Sequence, residues 1–379
     1  MKKNKDFSYI ISYDKVVFFT YILLCLTGVI VMLDITSMQS SMVNFYRHLV
    51  FLVVSALAAI LVLYFFNLEK LRPLNRFFVY LVIALLLIVL IKGDTVKGAT
   101  RQINLGLISI QPSFLARVAL IFFFASYLDK KHDELISANL KEFCIEFMPL
   151  IVFSAVTFIL IVLGRHLSTL IIGAATLLGM LIYAGAKKRI IALIVLFGMV
   201  SGWIIITQGA SYRSSRLQTY KIYSLLLKDR PAPTNSAEEY QVRESLTALT
   251  SGRLFGTGMG RGRAKHYYLP EPRTDYIFTI IGEEFGFLGA IFVFGLHILL
   301  FFRSFRIAEA QEDKYLKFLC AGLAMNIFFN ALVNTGVAMS ILPSTGNTLP
   351  FISYGGTALL VDSASVGVIL NISAKRRQL

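Results

Sequence analysis

The sequence predicts an all-α, polytopic membrane protein with about ten transmembrane helices and one large extracytoplasmic loop. The 379 residues are 56% hydrophobic and only 16% charged, and the mean hydropathy is +0.69, outside the range of soluble domains. The apolar residues come in runs of about 20, the length that crosses a bilayer core of ~30 Å. We therefore expect a single membrane domain over 1–379, with no room for a sizeable water-soluble domain.

Ten apolar runs, bounded by charges or by glycine and proline, are the predicted transmembrane helices. The first run is not followed by a small-residue cleavage site, so we expect it to remain as a span. Runs five and six are separated only by Gly164 and Arg165, so their connection is very short. In order, the runs are 16–34, 49–66, 77–91, 112–128, 147–163, 166–184, 190–207, 275–302, 315–342 and 355–373.

The distribution of Lys and Arg between the runs predicts the orientation. With the N-terminus inside, the cytoplasmic segments hold 20 basic residues and the short outer connections hold five. Short cytoplasmic segments of membrane proteins carry an excess of Lys and Arg, so both termini are expected in the cytoplasm. The long connection 208–274 is then the extracytoplasmic loop.

This loop carries eleven further basic residues, which its topology does not require. Two explanations stay open: the loop binds an anionic ligand, or it is a solvated segment whose charge is tolerated. In a polytopic chain, the net charge of +15 indicates orientation and membrane lipid phosphate, and no nucleic acid partner is expected. The helical spacing of Tyr240, Leu246 and Leu249 predicts an amphipathic helix over 236–251 at the outer surface.

The densest polar string beside an apolar run is 268–275, which ends at Asp275. This carboxylate has two interpretations. At the N-terminus of the eighth span it can be a helix cap, favoured by free N–H groups and the helix dipole. At the membrane surface, beside a basic loop, it can instead take a proton from a sugar hydroxyl while nearby cations receive a phosphate leaving group.

The glycine-rich run 256–262 looks like a phosphate-binding loop but lacks the context of one. No strand precedes it and no Gly-Lys-Ser/Thr follows, so neither ATP nor a nicotinamide cofactor is expected. We expect the run to let the chain turn tightly, although its amides can still meet an anion. A second segment, 343–356, has two prolines and three glycines and predicts a short external or re-entrant loop buried against protein.

Two charges fall inside predicted spans. Asp362 lies near the middle of the last span and should cost a few kcal/mol unless it is paired or faces a cavity. Arg117 is close enough to the outer surface for its side chain to reach water. For Asp362, a structural partner such as Asn326 or Asn330 is favoured over a transport role.

Three strings together resemble the SEDS family (shape, elongation, division and sporulation), and the resemblance covers nearly the whole chain. It implies a ten-span peptidoglycan glycosyltransferase that polymerises lipid II outside the cytoplasmic membrane, in cell elongation or division. It also implies a class B penicillin-binding transpeptidase as partner, and it maps the family's essential loop aspartate onto Asp275. The strings are KGATRQINLG at 97–106 with QPS at 111–113; LPE at 269–271 with TDYIF at 274–278 and EEFG at 283–286; and Asn334 followed by LP at 342–343, LP at 349–350 and SYGGT at 353–357.

The implied reaction agrees with the second interpretation of Asp275. Joining an α-linked sugar pyrophosphate to a hydroxyl with a β-linked product needs one inversion, hence one base and a stabilised leaving group. We therefore predict that Asp275 deprotonates the acceptor. The predicted substrate contacts are Lys97, Arg101, Arg261, Arg263, Lys265 and Arg273, which would balance the departing pyrophosphate with or without a divalent cation, together with Glu271, Ser353, Tyr354, Gly355 and Gly356.

The chain also departs from the family pattern. The family usually has Glu and then Lys three residues on, where this chain has Phe114 and Arg117. The Trp of the first string is Gln102, and a further acid is replaced at His166, whereas Asp362 is an acid that the family does not usually have. Two rival functions stay open, a flippase for lipid-linked precursors and a non-catalytic scaffold for a transpeptidase. A flippase should show internal repeats and charge along both halves of its path, and the sequence shows neither.

Overall fold

The computed structural model describes residues 8–38, 41–96, 99–104, 109–207, 211–224 and 236–378. Each of the ten predicted spans coincides with a helix, which confirms the all-α fold class. These helices are α1 (Lys15–Ser37), α2 (Val43–Phe65), α4 (Asn75–Lys92), α5 (Pro112–Lys130), α8 (Met148–Leu163), α9 (Leu167–Tyr183), α10 (Lys188–Thr207), α13 (Ile277–Glu309), α14 (Lys314–Ala338) and α15 (Gly356–Ser373). The shorter connecting helices are α3 (Leu68–Leu71), α6 (His132–Ser137), α7 (Leu140–Glu146), α11 (Ser211–Tyr223) and α12 (Ala237–Ser251).

The ten helices differ in how well each could cross a membrane alone. Within the described residues, seven are long and apolar enough, and an eighth qualifies if α7 and α8, bent by 71° to one another, form one broken span. Helix α9 is apolar but has only 17 residues. At ~1.5 Å per residue it is about 25 Å long, somewhat less than a typical hydrocarbon core.

Three helices form the centre of the bundle. The apolar windows of α5, α14 and α15 are 72%, 72% and 78% buried, against 22% for α2. Close packing depends on small residues, as is usual between membrane helices. At Gly367 of α15, a Cβ would lie only 2.6 Å from the carbonyl oxygen of Ala59 in α2. The outer helices expose large apolar side chains, the surface expected to face lipid.

Two small sheets connect the ends of helices. Strand β1 (Ser8–Ser12) pairs antiparallel with β5 (Lys375–Gln378), so the segments just before α1 and just after α15 lie side by side. Between α4 and α5, strands β2 (Asp94–Val96), β3 (Ala99–Asn104) and β4 (Ser109–Ile110) form a second antiparallel sheet. Thr357 of α15 holds this sheet: its Oγ1 donates to Ser109 O at 2.8 Å and accepts from Gln111 N at 3.2 Å.

The predicted helix over 236–251 is present as α12. It begins at the N-cap Ser236, whose hydroxyl accepts a hydrogen bond from Glu239 N at 3.2 Å. Ser245 fixes its buried face, since its Oγ lies 2.6 Å from Thr279 Oγ1 of α13 and donates to Ala338 O at 3.0 Å. Helix α12 therefore covers the N-terminal end of α13 and the C-terminal end of α14.

Candidate active site

Helix α13 is interrupted at Gly286, and part of the long connection before it, 208–274, fills the break. Gly286 has φ 69° and ψ −167°, a conformation that only glycine adopts readily. The two N–H groups after the break and the two carbonyls that they would normally reach all bond instead to the loop segment 253–258. The backbone groups that the break leaves open are thereby satisfied, as a helix within a bilayer would require. The bonds are Phe287 N to Arg253 O (2.9 Å), Leu288 N to Leu254 O (3.2 Å), Thr257 N to Glu283 O (2.9 Å) and Gly258 N to Glu284 O (3.0 Å).

The glycine-rich run makes this close approach possible. A Cβ on Gly256 would lie 2.0 Å from Glu284 O, so no larger residue fits there. Gly256, Gly258 and Gly260 have φ of 85°, 97° and 85°, which agrees with the predicted tight turning. The amides of Thr257 and Gly258 are already bonded to α13, so they are not free to bind an anion. This argues against the run being a phosphate-binding loop.

Lys265 lies in a buried ion cluster that joins α1, the loop and α13. Its ammonium donates to both carboxylate oxygens of Asp34 at 2.7 Å and lies 2.6 Å from Glu284 Oε1. Burial alone would lower the pKa of Lys265, but the two carboxylates outweigh this effect and hold its pKa above the usual value. The side chain is fully buried, so its position argues against the predicted contact with pyrophosphate.

The loop segment that carries Arg261 and Arg263 is held by the two adjacent glutamates of α13, Glu283 and Glu284. Glu283 Oε1 accepts from Arg263 N at 2.7 Å, and Glu284 Oε1 accepts from Gly262 N at 3.1 Å. The side chains of Arg261 and Arg263 are exposed on this fixed backbone. They remain able to meet an anionic group, in contrast to Lys265.

Asp275 lies two residues before the start of α13, on a backbone that is fixed by the segment 343–354. Ser353 Oγ donates to Thr274 O at 2.7 Å, and Tyr354 N donates to Arg273 O at 2.9 Å. Asp275 is partly exposed, and the N-cap position of α13 is Tyr276 rather than Asp275. The arrangement therefore does not favour the cap interpretation.

Three asparagines complete the support of this backbone. Asn334 Nδ2 of α14 donates to Asp275 O at 3.0 Å and to Asn347 O at 2.5 Å. Asn347 Nδ2 in turn donates to Asn330 Oδ1 at 2.6 Å. The sequence prediction did not include Asn347. The sequence did contain a pattern that indicates a buried polar contact on α14: Asn326, Asn330 and Asn334 recur every four residues on one face of an otherwise apolar helix.

The structure brings part of the predicted set together around Asp275. Glu271 and Arg273 precede it in the same turn, where Thr274 Oγ1 donates to Glu271 Oε2 at 3.3 Å. Ser353 and Tyr354 bind that turn from the other side, and Gly355 and Gly356 follow at the start of α15.

Arg101 and Lys97 are the remaining predicted contacts, and both belong to the first string, 97–106. Arg101 is in β3, the middle strand of the sheet that Thr357 ties to the start of α15, and Lys97 lies outside the described residues. At Gly356 a Cβ would meet the Phe51 ring at 2.8 Å, which explains this glycine by packing against α2. No group of three or more His, Cys, Asp or Glu side chains in the described part of the chain is arranged to hold a metal ion.

Comparisons with known proteins agree with this architecture. The family model for the cell cycle proteins FtsW, RodA and SpoVE matches residues 13–378. The probable peptidoglycan glycosyltransferase FtsW of Haemophilus influenzae is 33% identical over 375 residues, covering 96% of this chain and 91% of the relative. Stage V sporulation protein E of Bacillus subtilis is 36% identical over 310 residues, covering 81% of this chain and 80% of the relative.

Two solved structures have a similar fold. A chain of a peptidoglycan synthase complex that coordinates polymerisation and crosslinking aligns with a TM-score of 0.78 at 23% identity, covering 96% of this chain and 98% of that chain. The rod shape determining protein RodA of Thermus thermophilus aligns with a TM-score of 0.69 at 23% identity, covering 96% and 97%.

Proposed function

The chain belongs to the FtsW/RodA/SpoVE family, and we propose that this peptidoglycan glycosyltransferase polymerises lipid II with Asp275 as its catalytic base. The enzyme is a multi-pass membrane protein that acts in cell elongation or division. Both termini are proposed to be cytoplasmic, because the basic residues of the short connections are concentrated on that side. The reaction then takes place at the outer face of the membrane.

One observation carries the assignment of Asp275. Three consecutive carbonyls, those of Arg273, Thr274 and Asp275, each accept a hydrogen bond from another part of the fold. The backbone that carries the carboxylate is therefore rigid, while the residue itself is partly exposed. A general base needs this combination of fixed position and access to substrate.

The proposed step is a single inverting displacement. The Asp275 carboxylate takes the proton of the acceptor sugar hydroxyl as its oxygen attacks the anomeric carbon of the donor. The new glycosidic C–O bond forms as the bond from the anomeric carbon to the lipid pyrophosphate breaks, and that electron pair leaves on the pyrophosphate. Cleavage of the activated lipid donor supplies the driving force.

Cations near Asp275 are proposed to receive the pyrophosphate charge, with or without a divalent cation. Arg273 is two residues away on the same rigid turn, and the exposed Arg261 and Arg263 lie on the loop segment held by α13. Arg101 and Lys97 are included among these cations because they lie in the string 97–106, the first of the three that resemble the SEDS family. Preorganised positive charge of this kind stabilises a leaving group more than it stabilises the bound substrate.

A class B penicillin-binding transpeptidase is the proposed partner. A glycan strand that is polymerised outside the membrane must be crosslinked to become wall, and the related synthase complex couples these two activities. The surrounding membrane lipid is the other expected contact, because the outer helices expose large apolar side chains.

The test uses the purified full-length protein in nanodiscs, supplied with labelled lipid II with and without its co-expressed transpeptidase. Asp275→Asn should abolish polymer formation with unchanged thermal stability, because an amide is nearly isosteric but cannot accept the proton. The exposed Asp133→Asn on α6 is the matched control and should polymerise normally.

Near-normal polymerisation by Asp275→Asn would refute the base assignment. A helix cap predicts instead a stability loss of about 1 kcal/mol with little effect on rate. If the unaltered protein makes no polymer but moves lipid II across vesicle membranes, the flippase alternative holds.

A further inference from the structure

His297 lies on α13 after the break at Gly286 and is only 1% exposed. Its Nδ1 is 2.9 Å from Val293 O, and its Nε2 is 3.3 Å from Pro350 O. Val293 O already accepts the amide of residue 297 within the helix, whereas the buried Pro350 O has no other donor within the described residues. A neutral imidazole has a single N–H, so these hydrogen bonds assign its proton to Nε2. His297 is therefore the donor that satisfies Pro350 O.

The residue after Pro350 has a strained backbone that is held by its packing. Phe351 has φ 66°, which costs an L-residue roughly 1–2 kcal/mol. Its ring is 1% exposed and contacts Tyr21 of α1, at 5.2 Å between centroids, and His297, at 6.4 Å. Gly28 of α1 allows the backbone to approach, because a Cβ there would lie 2.8 Å from Phe351 O. Strain of this kind persists only where the surroundings determine the conformation, so this part of the chain has a fixed position.

The same segment holds the turn that carries Asp275. Ser353 N donates to Leu349 O at 3.0 Å, and Ser353 Oγ accepts from Leu349 N at 2.8 Å, so the chain closes on itself around Pro350. Ser353 Oγ also donates to Thr274 O at 2.7 Å, the carbonyl just before Asp275. A shift of Pro350 would therefore move the hydroxyl that holds the base.

The segment 349–354 contacts α13 on both sides of its break. Thr274 lies just before the first part of the helix, and His297 lies in the second part. A continuous helix fixes its two ends to each other through its own hydrogen bonds. This ladder is interrupted at Gly286, so the place of the turn relative to the second part depends on contacts from elsewhere. Segment 253–258 closes the gap itself, and segment 349–354 joins the turn to the second part.

We propose that His297 is a positioning residue that places Asp275 through Pro350 and Ser353. The proposal rests on the proposed function, in which Asp275 is the base. His297 is buried and does not touch substrate, so it is not a catalytic residue. Its effect falls on the rate of the chemical step, because the carboxylate must be in place when the acceptor hydroxyl attacks.

Two amide substitutions separate the two nitrogens of the imidazole. The Gln side chain places its N–H group near the position of Nε2, so His297→Gln keeps a donor for Pro350 O. The shorter Asn side chain places its amide near Nδ1, so His297→Asn loses that donor but remains polar. With lipid II in nanodiscs, His297→Gln should keep kcat within about threefold of the unaltered protein. His297→Asn should lower kcat by about tenfold with KM within about twofold, because a slightly misplaced base slows the reaction without weakening binding.

A double variant tests the route through Ser353. Ser353→Ala removes the hydroxyl that joins the segment to Thr274 O. If His297 acts through this hydroxyl, Ser353→Ala/His297→Asn should have the same kcat as Ser353→Ala alone, to within about twofold. Two independent effects would multiply instead, and this result would overturn the proposed route.

Equal kcat for folded His297→Asn and His297→Gln would overturn the proposal, because only one of them keeps the donor. A higher KM at unchanged kcat would also overturn it, because His297 would then serve substrate binding. If His297→Asn does not fold, His297→Leu takes its place with the same expected rate. If neither folds, His297 holds the fold rather than the base, and the proposal fails.

Asp275→Asn is assayed in parallel to separate this proposal from the proposed function. A slow His297→Asn protein beside a normal Asp275→Asn protein would show that the base assignment alone is wrong. A normal His297→Asn protein beside an inactive Asp275→Asn protein would show that the positioning role alone is wrong.

Discussion

Replacing Gly256 by alanine should detach the loop from the break in α13. The new Cβ would lie 2.0 Å from Glu284 O and 2.7 Å from Gly286 N, and both distances are shorter than two non-bonded atoms can approach. Both neighbours are backbone atoms, so they cannot move aside without opening the hydrogen bonds between 253–258 and the helix. Gly256 also has φ 85°, where a Cβ costs roughly 1–2 kcal/mol.

The size of the effect follows from the four hydrogen bonds that join the loop to α13. At a net contribution of about 1 kcal/mol each, their loss amounts to about 4 kcal/mol. With the conformational strain, Gly256→Ala should lower the free energy of unfolding by about 5 kcal/mol. Gly260→Ala is a close control, because Gly260 has the same φ of 85° but no atom within 4 Å of its added Cβ. Gly260→Ala should therefore lower the free energy of unfolding only by the conformational strain of a Cβ at positive φ, roughly 1–2 kcal/mol.

The assay compares unfolding of the two variants in one detergent and polymerisation of lipid II in nanodiscs. Gly256→Ala should be less stable than Gly260→Ala by about 4 kcal/mol and should lose activity. Equal destabilisation of the two proteins would refute the idea that the loop completes the broken helix. A stable but inactive Gly260→Ala protein would instead support a role of the glycine run in binding phosphate.

Three further changes test separate parts of the site. Lys265→Met should lower the free energy of unfolding by about 3–5 kcal/mol, because it leaves two buried carboxylates without their cation; Lys265→Arg, measured in the same unfolding assay, should lose less. Arg101→Gln should reduce kcat/KM for lipid II by about tenfold or more, whereas Lys314→Gln on the opposite face should change it by less than about twofold. Ser353→Ala removes the hydrogen bond to Thr274 O and should lower kcat at unchanged expression; a normal rate would show that this contact does not position the base.

The helices were predictable from the sequence because each depends on a local pattern. An apolar run of the right length identifies a span whatever it packs against, and α12 is marked by its spacing and its cap at Ser236. The break in α13 was not predictable in this way. One glycine at 286 does not mark a break within an apolar run, and its partners at 253–258 are distant in sequence.

In the candidate site, too, residues could be predicted where they depend on their neighbours in sequence, but not where they depend on residues far away in the chain. Asp275 could be selected because its acidic group, the prolines before it and the apolar run after it are contiguous. Lys265 was grouped with the anion-binding residues because it lies in a basic loop, but its burial is decided by Asp34, 231 positions away. The expectation that Arg117 reaches the outer surface is wrong: its side chain is only 1% exposed, because α5 packs inside the bundle, and no periodicity reveals this packing.

The broken helix has a consequence for how the protein is made. Segment 253–258 is synthesised before α13, so the gap at Gly286 can close only when the segment folds back onto the later helix. Until then the two N–H groups and the two carbonyls beside the gap lack their partners in segment 253–258. The parts of α13 before and after Gly286 are therefore fixed to each other late in folding. The protein therefore completes this helix only after the connection 208–274 and both parts of α13 have been made and have met.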